Sequence, residues 1–169
     1  MYELMTLFFR IAIFKQGPQD VPASPMVLRL MLPLYIGLNY VILWLNGSAT
    51  PWLQIAADFA MMAAFTWPLL YFSAKPARFP QTFSAMVGTD CILSFLALPA
   101  IASLYSQPNE LAYVAMLVLM VWHWVISAHI LRNALDRSWF FGLGLALLYI
   151  MLSSQVMAAL FPGITVNPE

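Results

Sequence analysis

Residues 111–131 read LAYVAMLVLMVWHWVISAHIL, and this stretch decides the fold class. It contains no Asp, Glu, Lys or Arg, and its length of about 20 residues is what a helix needs to cross a hydrocarbon core of roughly 30 Å. The whole chain shares this character, since 63% of its 169 residues are hydrophobic, 8% are charged and the mean hydropathy is +0.83. A soluble domain carries roughly 25% charged residues. We therefore exclude an ordinary soluble globular protein and expect lipid to be the main solvent.

Four further apolar runs of similar length accompany this stretch, separated by turn residues such as Asn46-Gly47 and Lys75-Pro76. Ser24-Pro25 supplies an N-cap hydroxyl and a first-turn proline where the first run begins. The predicted fold class is all-α, a polytopic membrane protein with five transmembrane helices in one bundle. The predicted segments are an N-terminal helix (1–17), a loop (18–25), a five-helix domain (26–161, with spans at about 26–45, 52–73, 84–105, 111–131 and 139–161) and a C-terminal tail (162–169).

The N-terminal segment is apolar but too short to span a bilayer. Glu3, Thr6 and Arg10 recur at helical spacing, while apolar residues cover the rest of the circumference. This pattern predicts an amphipathic helix lying in the membrane interface. A cleaved signal peptide is the alternative, although Lys15 closes the apolar run without a small-residue cleavage pattern after it.

The basic residues are distributed unevenly between the two sides of the predicted bundle. All seven lie before the first span or in its first turn, between spans two and three, or between spans four and five: Arg10, Lys15, Arg29, Lys75, Arg78, Arg132 and Arg137. Short cytoplasmic loops retain Lys and Arg. We therefore expect a multi-pass protein of the cell membrane with a cytoplasmic N-terminus and a C-terminus on the non-cytoplasmic side.

Ionisable residues inside the predicted spans are candidate functional sites, because an aspartate near the centre of a membrane helix costs about 2.5–3.5 kcal/mol. Counting 1.5 Å per residue places Asp90 and His129 in the half of the membrane nearer the cytoplasm, where we expect that they can meet. Asp58 and His123 lie further out and can form a second polar set with Gln155. The four ionisable residues either form a proton or ion path, or they simply bond neighbouring helices in a packed bundle: Asp58, Asp90, His123 and His129.

Small residues indicate where helices approach closely. Ala56, Ala60 and Ala64 repeat at four-residue spacing on span two, and Gly142 and Ala146 do so on span five. Both stripes are predicted packing surfaces whose partners the sequence does not identify.

The segment from Arg78 to Asp90 (RFPQTFSAMVGTD), the LALP sequence ending at Pro99, and the stretch from Trp122 to Arg132 (WHWVISAHILR) resemble the Yip1-like membrane proteins. The resemblance covers five spans in architecture and residues 79–137 in sequence detail. In eukaryotic members it implies trafficking between the endoplasmic reticulum and the Golgi, membrane shaping and contact with small GTPases. This chain lacks their Asp-Leu-Tyr-Gly-Pro type of motif and their long polar N-terminal region, so no functional residue is carried over.

The remaining patterns favour a protein that is not an enzyme and needs no cofactor. Zero net charge gives no reason to expect a nucleic-acid partner, and one cysteine supplies no thiolate cluster for a metal. Ser127, Ser153 and Ser154 can be proposed as nucleophiles of an intramembrane hydrolase, but nothing distinguishes them from serines that simply pack between helices. We expect a scaffold or accessory subunit of a membrane assembly, in contact with the lipid bilayer and with other membrane subunits. The alternative is a small transporter or channel subunit with an intramembrane Asp/His relay.

Overall fold

The structure is a computed structural model that describes residues 2–106 and 109–162. These residues form six α-helices: α1 (Tyr2–Ala12), α2 (Pro25–Leu45), α3 (Pro51–Phe72), α4 (Phe79–Ser106), α5 (Glu110–Leu135) and α6 (Trp139–Leu160). Helices α2 to α6 are each long and apolar enough to cross a membrane. The predicted fold class is confirmed, since the described residues form an all-α bundle of a multi-pass membrane protein. Most of the predicted tail, residues 163–169, lies outside the described residues.

The helix ends follow local chemistry, and two of them lie beyond the predicted spans. Helix α2 begins at Pro25, where Ser24 Oγ accepts a hydrogen bond from the N–H of Met26 at 3.2 Å. Helix α4 begins at Phe79 instead of residue 84, and α5 continues to Leu135 instead of residue 131. Hydropathy detects only the part of a helix that matches the hydrocarbon, so it misses the turns that extend beyond it. The end of α5 is set instead by Asp136, which adopts a left-handed backbone with φ 54°.

Helix α4 occupies the centre of the bundle. It packs against α1, α2, α3 and α5, while α6 packs on α5 and α3. Half of the apolar window of α4 is buried inside the protein, compared with 11% of the corresponding window in α6. A wide apolar surface on the outer helices is therefore left for lipid.

Helices α5 and α6 make their closest approach near Gly142. A Cβ atom added at Gly142 would lie 2.5 Å from the carbonyl oxygen of Ala128, so only glycine permits this approach. Trp124 strengthens the same contact by donating its indole N–H to the carbonyl of Leu143 at 3.0 Å. The stripe of Gly142 and the buried Ala146 therefore has α5 as its partner. In contrast, the stripe of Ala56, Ala60 and Ala64 is exposed on the outer face of α3.

Helix α1 packs its apolar face on its own bundle. The ring of Phe8 covers Gly88 of α4 and is fully buried. The Trp122 indole N–H of α5 donates to the carbonyl of Ala12 at 3.0 Å. Helix α1 ends at Ala12, five residues before the predicted end at residue 17, and an irregular segment follows it.

The connection between α3 and α4 is clamped to the end of α5. Asp136 accepts hydrogen bonds from Lys75 Nζ at 2.7 Å and from Arg78 Nη1 at 2.9 Å. The bonds from Arg78 and Lys75 lower the pKa of Asp136 to about 2. Gln81 also donates to the carbonyl of Val21 at 2.9 Å, which holds the segment before α2 at the same end of the bundle as Asp136. The segments predicted to carry the basic residues thus meet at one end of the bundle, which we call the basic end.

Candidate functional site: a polar cavity among four helices

A cavity of about 260 Å³ lies among α3, α4, α5 and α6. Each of these helices contributes side chains with polar atoms as well as apolar ones. The lining residues are Asp58 and Met62 from α3, Met86, Thr89 and Asp90 from α4, Met120, His123 and Ser127 from α5, and Tyr149, Ile150, Ser153 and Ser154 from α6. Ligand sites in proteins combine a mostly apolar wall with a few convergent polar groups, and this cavity has that composition.

Asp58 reaches the cavity from the inner face of α3. That face repeats every four residues through Gln54, Asp58, Met62 and Thr66, and all of these except the half-buried Asp58 are buried. The Tyr35 hydroxyl of α2 donates a hydrogen bond to Asp58 Oδ2 at 2.5 Å. A hydrogen bond to a carboxylate is among the stronger ones in proteins. Tyr35 therefore fixes the position of this acid from outside the cavity.

Asp90 lies on the central helix and is held in a similar way. Asn39 of α2 donates to Asp90 Oδ2 at 3.4 Å, and the hydroxyl of Ser94 approaches the same oxygen at 3.5 Å. Asn39 also donates to the backbone carbonyl of Tyr35 at 3.0 Å. Because Tyr35 and Asn39 are four residues apart, one face of α2 supports both acids of the cavity.

His123 faces the same cavity from α5, with Ser127 one turn further on. Asp90 interacts electrostatically with both His123 and Asp58. The two carboxylates, the imidazole and the buried Tyr149 thus surround one space of mixed polar and apolar character. Such a space can take up a proton, a cation or a small polar solute with an apolar part.

The structure brings together three of the five predicted polar residues, namely Asp58, Asp90 and His123. His129 lies elsewhere, with its Nε2 atom 2.8 Å from the carbonyl oxygen of Gln16 and its ring against Phe14. The expected meeting of Asp90 with His129 does not occur. Six residues rotate a helix by 600°, so a side chain at position 129 points about 120° away from one at position 123.

Gln155 lies on the exposed surface of α6 and does not line the cavity, although its neighbour Ser154 does. Two members of the predicted outer set, Asp58 and His123, therefore line the cavity together. The side-chain amide of Gln155 does not join them. Asp90 takes that place, because α4 begins at Phe79, five residues before the predicted start of the span, so Asp90 lies deeper along its helix than the residue count predicted.

Sequence reasoning missed Tyr35, Asn39 and Tyr149 as parts of the site. A tyrosine and an asparagine at four-residue spacing in an otherwise apolar run were the available signal for the first two. Tyr149 carries no comparable signal, because a single tyrosine in a membrane span is equally typical of packing.

A metal site needs several donor side chains around one point. Within residues 2–106 and 109–162, no three carboxylate, imidazole or thiol side chains converge closely enough to hold one metal ion.

The chain was compared with protein-family models, with curated proteins and with solved structures, and it matches none of them. The resemblance to the Yip1-like proteins and the functions that it implies stay predictions.

Proposed function

We propose that this protein is a small membrane transporter whose intramembrane cavity binds a cation in competition with protons. The observation that carries the proposal is the convergence of Asp58, Asp90 and His123, from three different helices, on one cavity of about 260 Å³. Ionisable groups inside membrane spans are rare, and in transporters they line substrate and ion pathways.

Charge balance supports competition between cation and proton. Each ionised carboxylate in the cavity is costly in a low-dielectric surrounding, and either a proton or a bound cation removes that cost. One species can therefore replace the other without leaving an uncompensated charge. This exchange is what couples the movement of a solute to that of protons.

The shape of the cavity favours a transporter over a channel. Along α3 the lining stops at Asp58, one turn before the buried Gln54, and towards the basic end it stops at Ser127 and Met86. Buried side chains including Phe83 and Ile130 follow on that side. Because packed side chains close the cavity towards the basic end, its contents can leave on that side only after a conformational change.

The proposal is tested with purified protein in liposomes that contain a pH-sensitive dye, with cation gradients imposed from outside. Asp58→Asn, Asp90→Asn and His123→Gln are each expected to abolish cation-driven proton movement. His129→Gln is the matched control, because it changes the same residue type on the same helix outside the cavity. If the cavity variants and the control behave alike while all elute as folded protein in gel filtration, the proposal is wrong.

We also propose that the basic end faces the cytoplasm, in accordance with the positive-inside rule. The test uses the two sides of the bundle. A cysteine at Ser48 is expected to react with an impermeant maleimide in intact cells, whereas one at Ala77 reacts only after permeabilisation. The native Cys91 is buried and gives a low background. The reverse labelling pattern would mean that the basic end faces away from the cytoplasm.

The accessory-subunit function remains a second candidate because of one observation, the exposed stripe of Ala56, Ala60 and Ala64. Small residues at this spacing permit close association with another membrane helix. Extraction in a mild detergent followed by mass measurement tests it. A complex that survives in the native protein and dissociates in Ala60→Leu supports this role, and a monomer in both argues against it.

A further inference from the structure

The cavity has an opening on the side of the bundle, between α5 and α6. Met120 and Ser154 both line the cavity and are both exposed on the protein surface, with Met120 at 62% exposure. The inner wall is different, since Met62, Met86 and Tyr149 are each 5% exposed. The cavity therefore reaches the surface at its α5 and α6 side and is closed behind.

The arrangement of α5 and α6 explains why an opening exists there. Their closest contact, Gly142 against Ala128, lies near the basic end. Further along, α5 and α6 both contribute lining residues, so the cavity reaches between them.

The opening lies within the apolar part of the bundle. Met120 is ten residues from the first residue of α5, and Ser154 is six residues from the last residue of α6. At 1.5 Å per residue these positions are roughly 9–15 Å below the helix ends. A solute that enters here comes from the acyl-chain region of the bilayer.

The lining also indicates what kind of solute fits. Asp58 and Asp90 attract a positive charge, and the ring of Tyr149 can contribute a cation–π contact. The thioethers of Met62 and Met86 and the side chain of Ile150 offer an adaptable apolar wall. A purely hydrophilic ion would leave this wall without a partner.

We infer that the ligand is an amphiphilic organic cation that enters sideways from the bilayer through the opening between α5 and α6. This inference rests on the proposed function and adds to it the class of substrate and its route. The positive group lies between the two aspartates in the bound state, and the apolar part lies against the methionines.

Two permanently charged probes that share a trimethylammonium group test the substrate class. Binding of phenethyltrimethylammonium and of choline is measured by equilibrium dialysis with the protein in lipid nanodiscs, and Asp58→Asn nanodiscs supply the background. The phenyl compound is expected to bind at least about tenfold more tightly, because apolar groups in a fitting pocket discriminate at that level. Equal affinity for the two probes would overturn the inference about the substrate while leaving the cation site intact.

A pair of neighbouring substitutions tests the route. Ser154→Phe places a bulky ring in the opening and is expected to slow uptake of phenethyltrimethylammonium into liposomes several-fold. Gln155→Phe, which adds an equally bulky side chain outside the cavity, is expected to leave uptake close to that of the native protein. Uptake that is insensitive to Ser154→Phe would overturn the lateral route. Binding of either probe that is unchanged in Asp58→Asn would instead overturn the proposed function.

Discussion

Replacing Gly142 by alanine should separate α5 from α6 at their closest contact. The new Cβ atom would lie 2.5 Å from the carbonyl oxygen of Ala128 and 2.9 Å from Cβ of Arg132. An ordinary van der Waals contact begins near 3.4 Å, so α6 has to move by about 0.9 Å. A gap of that size forfeits a quarter to a half of the dispersion energy of the atom pairs along the interface.

The expected cost is at the upper end of the range for overpacked interiors. Such substitutions typically destabilise by about 1–3 kcal/mol. Two of the three nearest atoms belong to the Ala128 backbone, which cannot rotate away as a flexible side chain can. We therefore expect Gly142→Ala to lower the free energy of unfolding by about 3 kcal/mol.

Gly144→Ala is the matched control on the same helix. A Cβ atom at Gly144 meets nothing within 4 Å. Alanine is the better helix former by up to about 1 kcal/mol, so this variant should be as stable as the native protein or slightly more stable. The two variants change the same residue type at positions two residues apart. One is expected to lower the free energy of unfolding, and the other to leave it unchanged or raise it slightly.

Unfolding in mixed micelles with increasing SDS measures both variants. The intrinsic tryptophan fluorescence is a convenient signal, because it includes that of Trp124, whose indole bonds to Leu143 directly beside the contact. If Gly142→Ala unfolds at the same SDS fraction as the native protein, or if both alanine variants shift equally, the close approach of α5 and α6 is refuted.

Three further predictions concern α1 and the basic end. Gly88→Ala should displace α1, because the new Cβ atom would lie 2.5 Å from the ring of Phe8. Hydrogen–deuterium exchange in residues 2–12 should then rise, and unchanged exchange would contradict the packing of Phe8 on Gly88. Trp122→Phe removes the hydrogen bond to Ala12 together with part of the ring's packing, and it should weaken protection of α1 by at least about 1 kcal/mol in the same experiment. Unchanged protection would argue against the bond. Asp136→Asn should destabilise the protein by a constant amount between about pH 5 and 8. The pKa of Asp136 is lowered to about 2 from an ordinary value near 3.9, so the difference in stability between variant and native protein should vanish only as the pH falls from about 4 towards 2. A difference in stability that varies near neutral pH would exclude the pairing of Asp136 with Lys75 and Arg78.

Hydropathy and local capping residues were sufficient to predict the five membrane helices. Apolar runs of about 20 residues gave five membrane helices, and Ser24-Pro25 marked where the first of them begins. The burial of α1 in its own bundle was not predicted, because an amphipathic pattern shows that one face is apolar without showing what covers it. The contact of Phe8 with Gly88 depends on residues 80 positions apart, and a single sequence carries no signal for such a pair.

The candidate site could be predicted in its components and only partly in its arrangement. Charged residues in apolar runs are conspicuous, so Asp58, Asp90 and His123 were all identified. Their depth along each helix follows from the rise per residue only where the helix start is known, and which helices are neighbours does not follow from it at all. The contribution of α2 was missed for this reason, since Tyr35 and Asn39 matter only because α2 lies beside α3 and α4.

The support that α2 gives to the two acids has a consequence for how the protein is made. A chain synthesised from its N-terminus delivers α2 to the membrane before α3 and α4. Tyr35 is therefore already in place when Asp58 arrives, and Asn39 is in place when Asp90 arrives. Each acid costs about 2.5–3.5 kcal/mol when it enters hydrocarbon alone. Because each hydrogen-bond donor precedes its acceptor in the chain, α3 and α4 each enter the bilayer when the donor for their aspartate is already there.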